Sequence, residues 1–320
     1  MRIFRLHSFF CLLVWLAVIA CPAAAAIIEK PYFGYDASTT QFINITDSAI
    51  TSTRKVLAGI LGDTIGYKPQ IFIRDNLEDF KSLIGSSFPD WGAAAALPYR
   101  RMMAIKSPAH FRLGKSLYEL IAHEYSHLVL EDRLHHVQPP RWLDEGLAMF
   151  VSAEWNWEDN LAISRAVVLN SIIPLREIEM INRFPGGRAQ TAYSESFLAV
   201  KYFLDTYQQE SFVILLDNLR ARESIDDAFV AAIGSNYDGF QKEFFDYLGA
   251  RYNLMSLFGD LYFIWIIFAA IVVVGFVLGY RRRRKYYKKW EEEEKYQSTD
   301  FDYGDPDNPE QADDEDKPWA

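Results

Sequence analysis

The chain has 320 residues, 50% of them hydrophobic and 24% charged, with a formal net charge of −10. Most of that charge sits after position 290, so the rest of the chain is nearly neutral, and no basic surplus points to nucleic acid. The middle of the chain, about 230 residues with no repeat or low-complexity break, is long enough for a sizeable core.

The first segment reads as an address. Arg2 and Arg5 form a positive start, Phe9 to Ala20 is apolar but short for a membrane span, and Ala23 to Ala26 are small residues suited to cleavage. Residues 1–26 are therefore expected to be a signal peptide. Val18-Ile19-Ala20-Cys21 also fits a lipobox, which would make Cys21 a lipidated N-terminus. Cleavage after Ala26 removes both cysteines, so cysteine use does not report the redox compartment.

Residues 27–255 are expected to form one extracytoplasmic domain. Ile27 to Asn44 suggests a short strand at its start. Ser48 to Leu61 carries apolar residues at helical spacing, and Gly62 to Gly66 ends that run. Lys68 to Arg74 reads as a strand, and Asn76 to Ile84 as a short helix with an Asn cap. Met102 to Lys106 reads as a second strand, closed by Pro108. Asn44-Ile45-Thr46 fits a glycosylation sequon, a common triplet for which the layout predicts no occupancy.

A helical run, Lys115 to Ala122, leads into His123-Glu124-Tyr125-Ser126-His127. Positions four apart lie one above the other on a helix, so His123 and His127 can offer two imidazole nitrogens to one ion. Glu124 lies one step round, within reach of a water on that ion. This is the arrangement of a zinc hydrolase. A catalytic zinc site needs a third protein ligand and one open position. After Pro139-Pro140, Asp144-Glu145 opens another helical run, and Glu145 in its first turn can supply a carboxylate. His135 and His136 are rival ligands that read as loop residues before Pro139.

At these residues the chain resembles the gluzincin metallopeptidases, and among them the peptidase MA-like families. The matching stretches are His123–His127 and Trp142-Leu143-Asp144-Glu145-Gly146-Leu147-Ala148. A shorter likeness to the zinc aminopeptidases exists, but 17 residues separate His127 from Glu145, one fewer than their pattern, so their specificity is not carried over. A metzincin is excluded, because Leu130 and Arg133 stand where that pattern needs Gly and His. The resemblance spans residues 67 to 250, with its strongest matches between 119 and 150. It implies an α+β, zincin-like domain, a Zn2+ cofactor held by His123, His127 and Glu145, Glu124 as the base, and a peptide or protein substrate. It also implies that the strand before the zinc helix is the edge above the cleft, so Gly92 to Ala104, entered through Trp91, is expected to wall the substrate site.

After Glu145 the chain reads as helical: Asp144–Glu154, Asn160–Ser171, Leu175–Ile181, Ala189–Gln208, Glu210–Ala221, Ile225–Ile233 and Tyr237–Tyr252. Pro174, Pro185-Gly186-Gly187 and Gly234 separate them. A mixed sheet followed by a helical half argues for α+β. Tyr193 begins a stretch similar to one in the peptidase MA-like families. Its hydroxyl is the expected donor to the developing oxyanion, the alternative being a packed tyrosine.

Leu261 to Gly279 carries no charge, and as a helix it spans about 28 Å, close to a bilayer core. Arg281 to Lys285 follow at once and mark the cytoplasmic side. Residues 261–279 are thus an expected transmembrane helix, and 281–320 a cytoplasmic tail, basic and then acidic, disordered in its acidic part. The whole reads as a single-pass, membrane-anchored zinc metallopeptidase with a periplasmic catalytic domain. Two other readings are a binding or assembly protein on a peptidase-like scaffold, and a sensor whose working part is the tail.

Overall fold

Residues 26–86, 88, 92–253 and 262–296 are described in a computed structural model of the chain. The expected leader other than Ala26, Cys21, Trp91 and the tail beyond Tyr296 lie outside the described residues. The chain divides into two units, one ending at Ser256 and one beginning at Leu257.

The first unit opens with a mixed sheet. Strands β1 (Ile27–Glu29) and β2 (Gly34–Asp36) pair antiparallel, β2 runs parallel to β3 (Gln70–Arg74), and β3 runs parallel to β5 (Met102–Lys106). Strand β4 (Ala94–Leu97) pairs antiparallel with β5 and closes the order β1-β2-β3-β5-β4. Helix α1 (Ile43–Leu61) links β2 to β3, and Gly62 ends it at φ 72°, a conformation glycine adopts without steric cost. Helix α2 (Leu77–Ile84) follows β3, with the Asn76 side chain accepting from the Asp79 N–H, as its sequence predicts.

The expected sheet edge needs correction. All five residues of β5 are buried, as in a strand covered on both faces. The edge strand is β4, which the sequence does not announce. Ala94-Ala95-Ala96-Leu97 has neither β-branched residues nor alternation, and tertiary pairing alone makes it a strand.

The rest of the unit is helical: α3 (Leu117–Arg133), α4 (Arg141–Ser152), α5 (Trp157–Val168), a 3-10 segment Leu175–Arg183, α6 (Gly186–Arg220), α7 (Ile225–Ile233) and α8 (Tyr237–Arg251). The two helices expected over 189–221 run together as α6, with Gln208 at φ 67° and ψ 175° breaking the helical path where the sequence divides them. Helix α4 packs on α3 and α6. Fully buried Trp142 stacks on Tyr237 and Phe240, with ring centroids 6.4 and 5.9 Å away, and so ties α4 to α8. On the sheet side, α1 and α3 pack on each other, and Ile71, Ile73, Met103, Ile121 and Tyr125 are buried in the core. The fold class is α+β, mostly helical with a small sheet.

Among its described residues the second unit holds one helix, α9 (Tyr262–Tyr296), of 35 residues. By length and composition it can cross a membrane. It does not stop at Gly279. The basic cluster and Glu291 to Glu294 continue it, where disorder was expected from Glu291. Arg, Lys and Glu are strong helix formers, and Lys289 pairs with Glu293 at 3.4 Å one turn on.

Candidate metal centre

Helix α3 is fixed at its start by a reciprocal cap. The Glu119 N–H donates to Ser116 Oγ at 3.2 Å, and the Ser116 N–H donates back to Glu119 Oε2 at 2.7 Å. One turn later the helix carries His123 and His127, their rings 4.9 Å apart. The remaining faces bury Leu120, Ile121, Tyr125, Leu128 and Val129, so the two imidazoles are held between packed surfaces.

Helix α4 begins one turn earlier than its sequence suggests. Pro140 is extended, and its carbonyl accepts from the N–H groups of Leu143 and Asp144 at 2.9 and 3.1 Å, closing the first turn. The Arg141 N–H is satisfied by Glu179 Oε1 at 2.8 Å. Glu145 therefore lies in the second turn, not the first, and it is buried. Gly146 lets this part of α4 meet α6, since a Cβ there would stand 2.2 Å from the Ser196 carbonyl oxygen.

His123, His127 and Glu145 converge. Their candidate ligand atoms all lie within 4.8 Å of one another. Glu145 Oε2 is 3.5 Å from His123 Nε2 and 3.9 Å from His127 Nε2. Tetrahedral bonds of about 2.1 Å to one ion put its ligand atoms roughly 3.4 Å apart, so the spacing suits a small divalent cation. The outer nitrogens fit as well. His123 Nδ1 meets Glu154 Oε1 at 3.0 Å, and His127 Nδ1 meets Asp144 Oδ1 at 2.6 Å. A neutral imidazole that donates Nδ1–H to a carboxylate keeps its Nε2 lone pair for an ion. Two nitrogens and one carboxylate make a donor set that zinc accepts.

Electrostatics point the same way. Burial disfavours a charged His123, but hydrogen bonds to Glu145 and Glu154 outweigh it and push its pKa up to about 10. Burial likewise opposes charge on His127, and Asp144 and Glu145 reverse that effect. Burial raises the Glu145 carboxyl, yet the two histidines and Arg141 hold it down to about 2. The carboxylates raise both imidazoles against burial, which marks a concentration of negative charge that a divalent ion can neutralise.

Glu124 is buried and its charge acts on both His123 and Tyr193, so it shares the pocket. Tyr193, near the start of α6, lies close enough to feel Glu145, Glu124 and Arg141. Burial first, then Glu145, push its phenol up to about 12, so it remains an O–H donor at neutral pH. His135 and His136 do not join the group. They sit past the end of α3 with φ of 50° and 64°, and His136 stacks on Tyr99 and pairs with Glu131.

Two neighbours escape the sequence. Ala153 ends α4 in the left-handed conformation, at φ 58°, and this reversal carries Glu154 back to His123 and to Lys115. Arg141 places Nη2 2.5 Å from Glu145 Oε1. Glu154 was expected only as the end of a helix, and the helix was expected to start only at Asp144, which left Arg141 outside it.

A family model of the peptidase MA superfamily matches residues 61–250, from the last residue of α1 to α8, and so takes in every residue of this cluster. No curated protein matches the chain. The matched span is more than half of the 320 residues, and the chain belongs to the peptidase MA superfamily.

Proposed function

We propose that the chain is a membrane-anchored zinc peptidase of the gluzincin kind, with a zincin-like catalytic domain and Zn2+ held by His123 Nε2, His127 Nε2 and Glu145 Oε2. The observation that carries this reading is the convergence of those three atoms while both Nδ1 positions are engaged by carboxylates. A bound zinc ion supplies Lewis acidity, lowering the pKa of water from 15.7 to about 7 and polarising a carbonyl.

The chain's own residues do the rest. Glu124 accepts the proton of the attacking water and delivers it to the leaving amine. The Tyr193 hydroxyl, kept protonated by burial and by Glu145, donates to the substrate carbonyl oxygen as negative charge develops there. Asp144 and Glu154 hold the two imidazoles in one tautomer. Strand β4 offers the extended peptide a place to lie. It pairs only with β5 among the described residues, it packs on α3, and its four residues are half-buried. The substrate wall proposed over Gly92 to Ala104 thus rests on β4 as its edge.

Helix α9 supports a single-pass anchor. The basic cluster Arg281 to Lys285 would lie on the cytoplasmic side, with the catalytic domain outside.

The test uses the full chain in detergent. Purified protein should contain one zinc per chain by elemental analysis and should cut members of a peptide library. Glu124→Gln should keep the metal and lose hydrolysis by about 10²- to 10⁴-fold. A zinc-free native protein, or undiminished cleavage by Glu124→Gln, overturns the reading.

A further inference from the structure

Arg141 is poorly placed for the stability of its own helix. It is the first residue of α4, where the helix dipole disfavours a cation. Its partner Glu145 lies four residues later, and an i, i+4 pair is weaker with the base first. Its side chain is only 32% exposed, and its Nε has no hydrogen-bond partner among the described residues. A buried donor left unpaired is costly. Capping and surface pairing therefore do not explain this arginine, since Glu179 already satisfies the backbone N–H of that turn.

The guanidinium's contacts do explain it. Nη2 stands 2.5 Å from Glu145 Oε1, and Nη1 is 3.8 Å from Asp144 Oδ2, the carboxylate that holds His127. The same group acts on the Tyr193 hydroxyl. With Oε1 taken by Arg141, Glu145 is left with Oε2, the oxygen that faces both histidine Nε2 atoms.

We propose that Arg141 is a positioning residue that makes Glu145 a one-oxygen metal ligand. A planar fork can do this because it fixes direction as well as charge. A carboxylate freed from that grip can turn both oxygens to the ion or swing away, changing coordination number and affinity. The inference rests on the metal-centre reading above.

The experiment takes the full-length chain in detergent, strips it with a chelator and titrates it with Zn2+ against a chromophoric competitor. A parallel sample is loaded with Co2+ for visible absorption. Arg141→Met should weaken Zn2+ binding by about 10- to 100-fold and change the Co2+ spectrum. Arg141→Lys keeps a charge without the fork, so it should recover part of the affinity and leave the spectrum altered. A merely structural arginine would shift thermal unfolding of the metal-free protein and leave the Co2+ spectrum of folded protein alone. Should the Met variant fail to fold, the Lys variant carries the same spectral test. Wild-type affinity to within twofold, with an unchanged spectrum in both variants, overturns the proposal and spares the metal centre. A wild-type chain that takes up no Zn2+ overturns both.

Discussion

Each histidine of the candidate centre is held by a carboxylate, and the candidate carboxylate ligand is held by an arginine. Elsewhere in the same helical layer, Glu195 shows what an unaided carboxylate does. It is fully buried on α6, and the Ile173 N–H reaches both of its oxygens at 3.1 Å. Burial raises its pKa to about 8 against that hydrogen bond. The native state therefore keeps this proton up to about pH 8, while the unfolded chain releases it near the model value of 4.5. The associated stability is fully present below about pH 4.5, declines as pH rises towards 8, and stays lost above that. Glu195→Gln should flatten that decline. Urea unfolding at pH 5 and pH 8.5 should show the wild type losing more stability than the variant, by an amount on the order of a few kcal/mol. Equal losses in the two proteins would contradict the assignment. At this scale the convergence of His123, His127 and Glu145 is legible in the sequence, since helix pitch relates His123 to His127 and the Trp142 to Ala148 stretch marks Glu145. Glu154 is not, because a left-handed turn brings it in, and Arg141 stands one helical turn before Glu145 at a spacing shared by many ordinary surface pairs.

At the scale of elements, the crossing of α4 and α6 sets the distance between Glu145 and Tyr193. Gly146 permits it, with only 2.2 Å between an added Cβ and the Ser196 carbonyl, and with Val200 Cγ2 at 2.8 Å. The Ser196 obstacle is backbone, so rotamer changes cannot relieve it. Gly146→Ala should cost roughly 1–3 kcal/mol through overpacking, and calorimetry should show Tm lower by several degrees. An unchanged Tm would mean that the two helices can separate freely. Helices were the more legible elements, because their apolar spacing and breakers are local. Gly62, Asn76 and the division near Gln208 all stand where the sequence places them. Strand β4 was missed, and β5 was assigned its edge position, because three alanines and a leucine become a strand only by pairing with Met102 to Ile105.

At the scale of the whole molecule, α9 supports an anchor on grounds of length and composition. The chain should therefore remain with membranes through alkaline carbonate extraction, and a chain lacking residues 262–296 should be released. Release of the intact chain would leave that helix without its proposed role. The apolar run and its basic flank are plain in the sequence. The persistence of helix through Tyr296 is not, because charge alone suggests solvation and says little about backbone order.

That persistence has a geometric consequence. Thirty-five residues at 1.5 Å each make a rod about 52 Å long. Hydrocarbon about 30 Å thick could hide all of it only at a lean of some 55°, well past the 40° that spanning helices reach. A helix of this length that spans within that range leaves at least about two turns clear of the lipid tails.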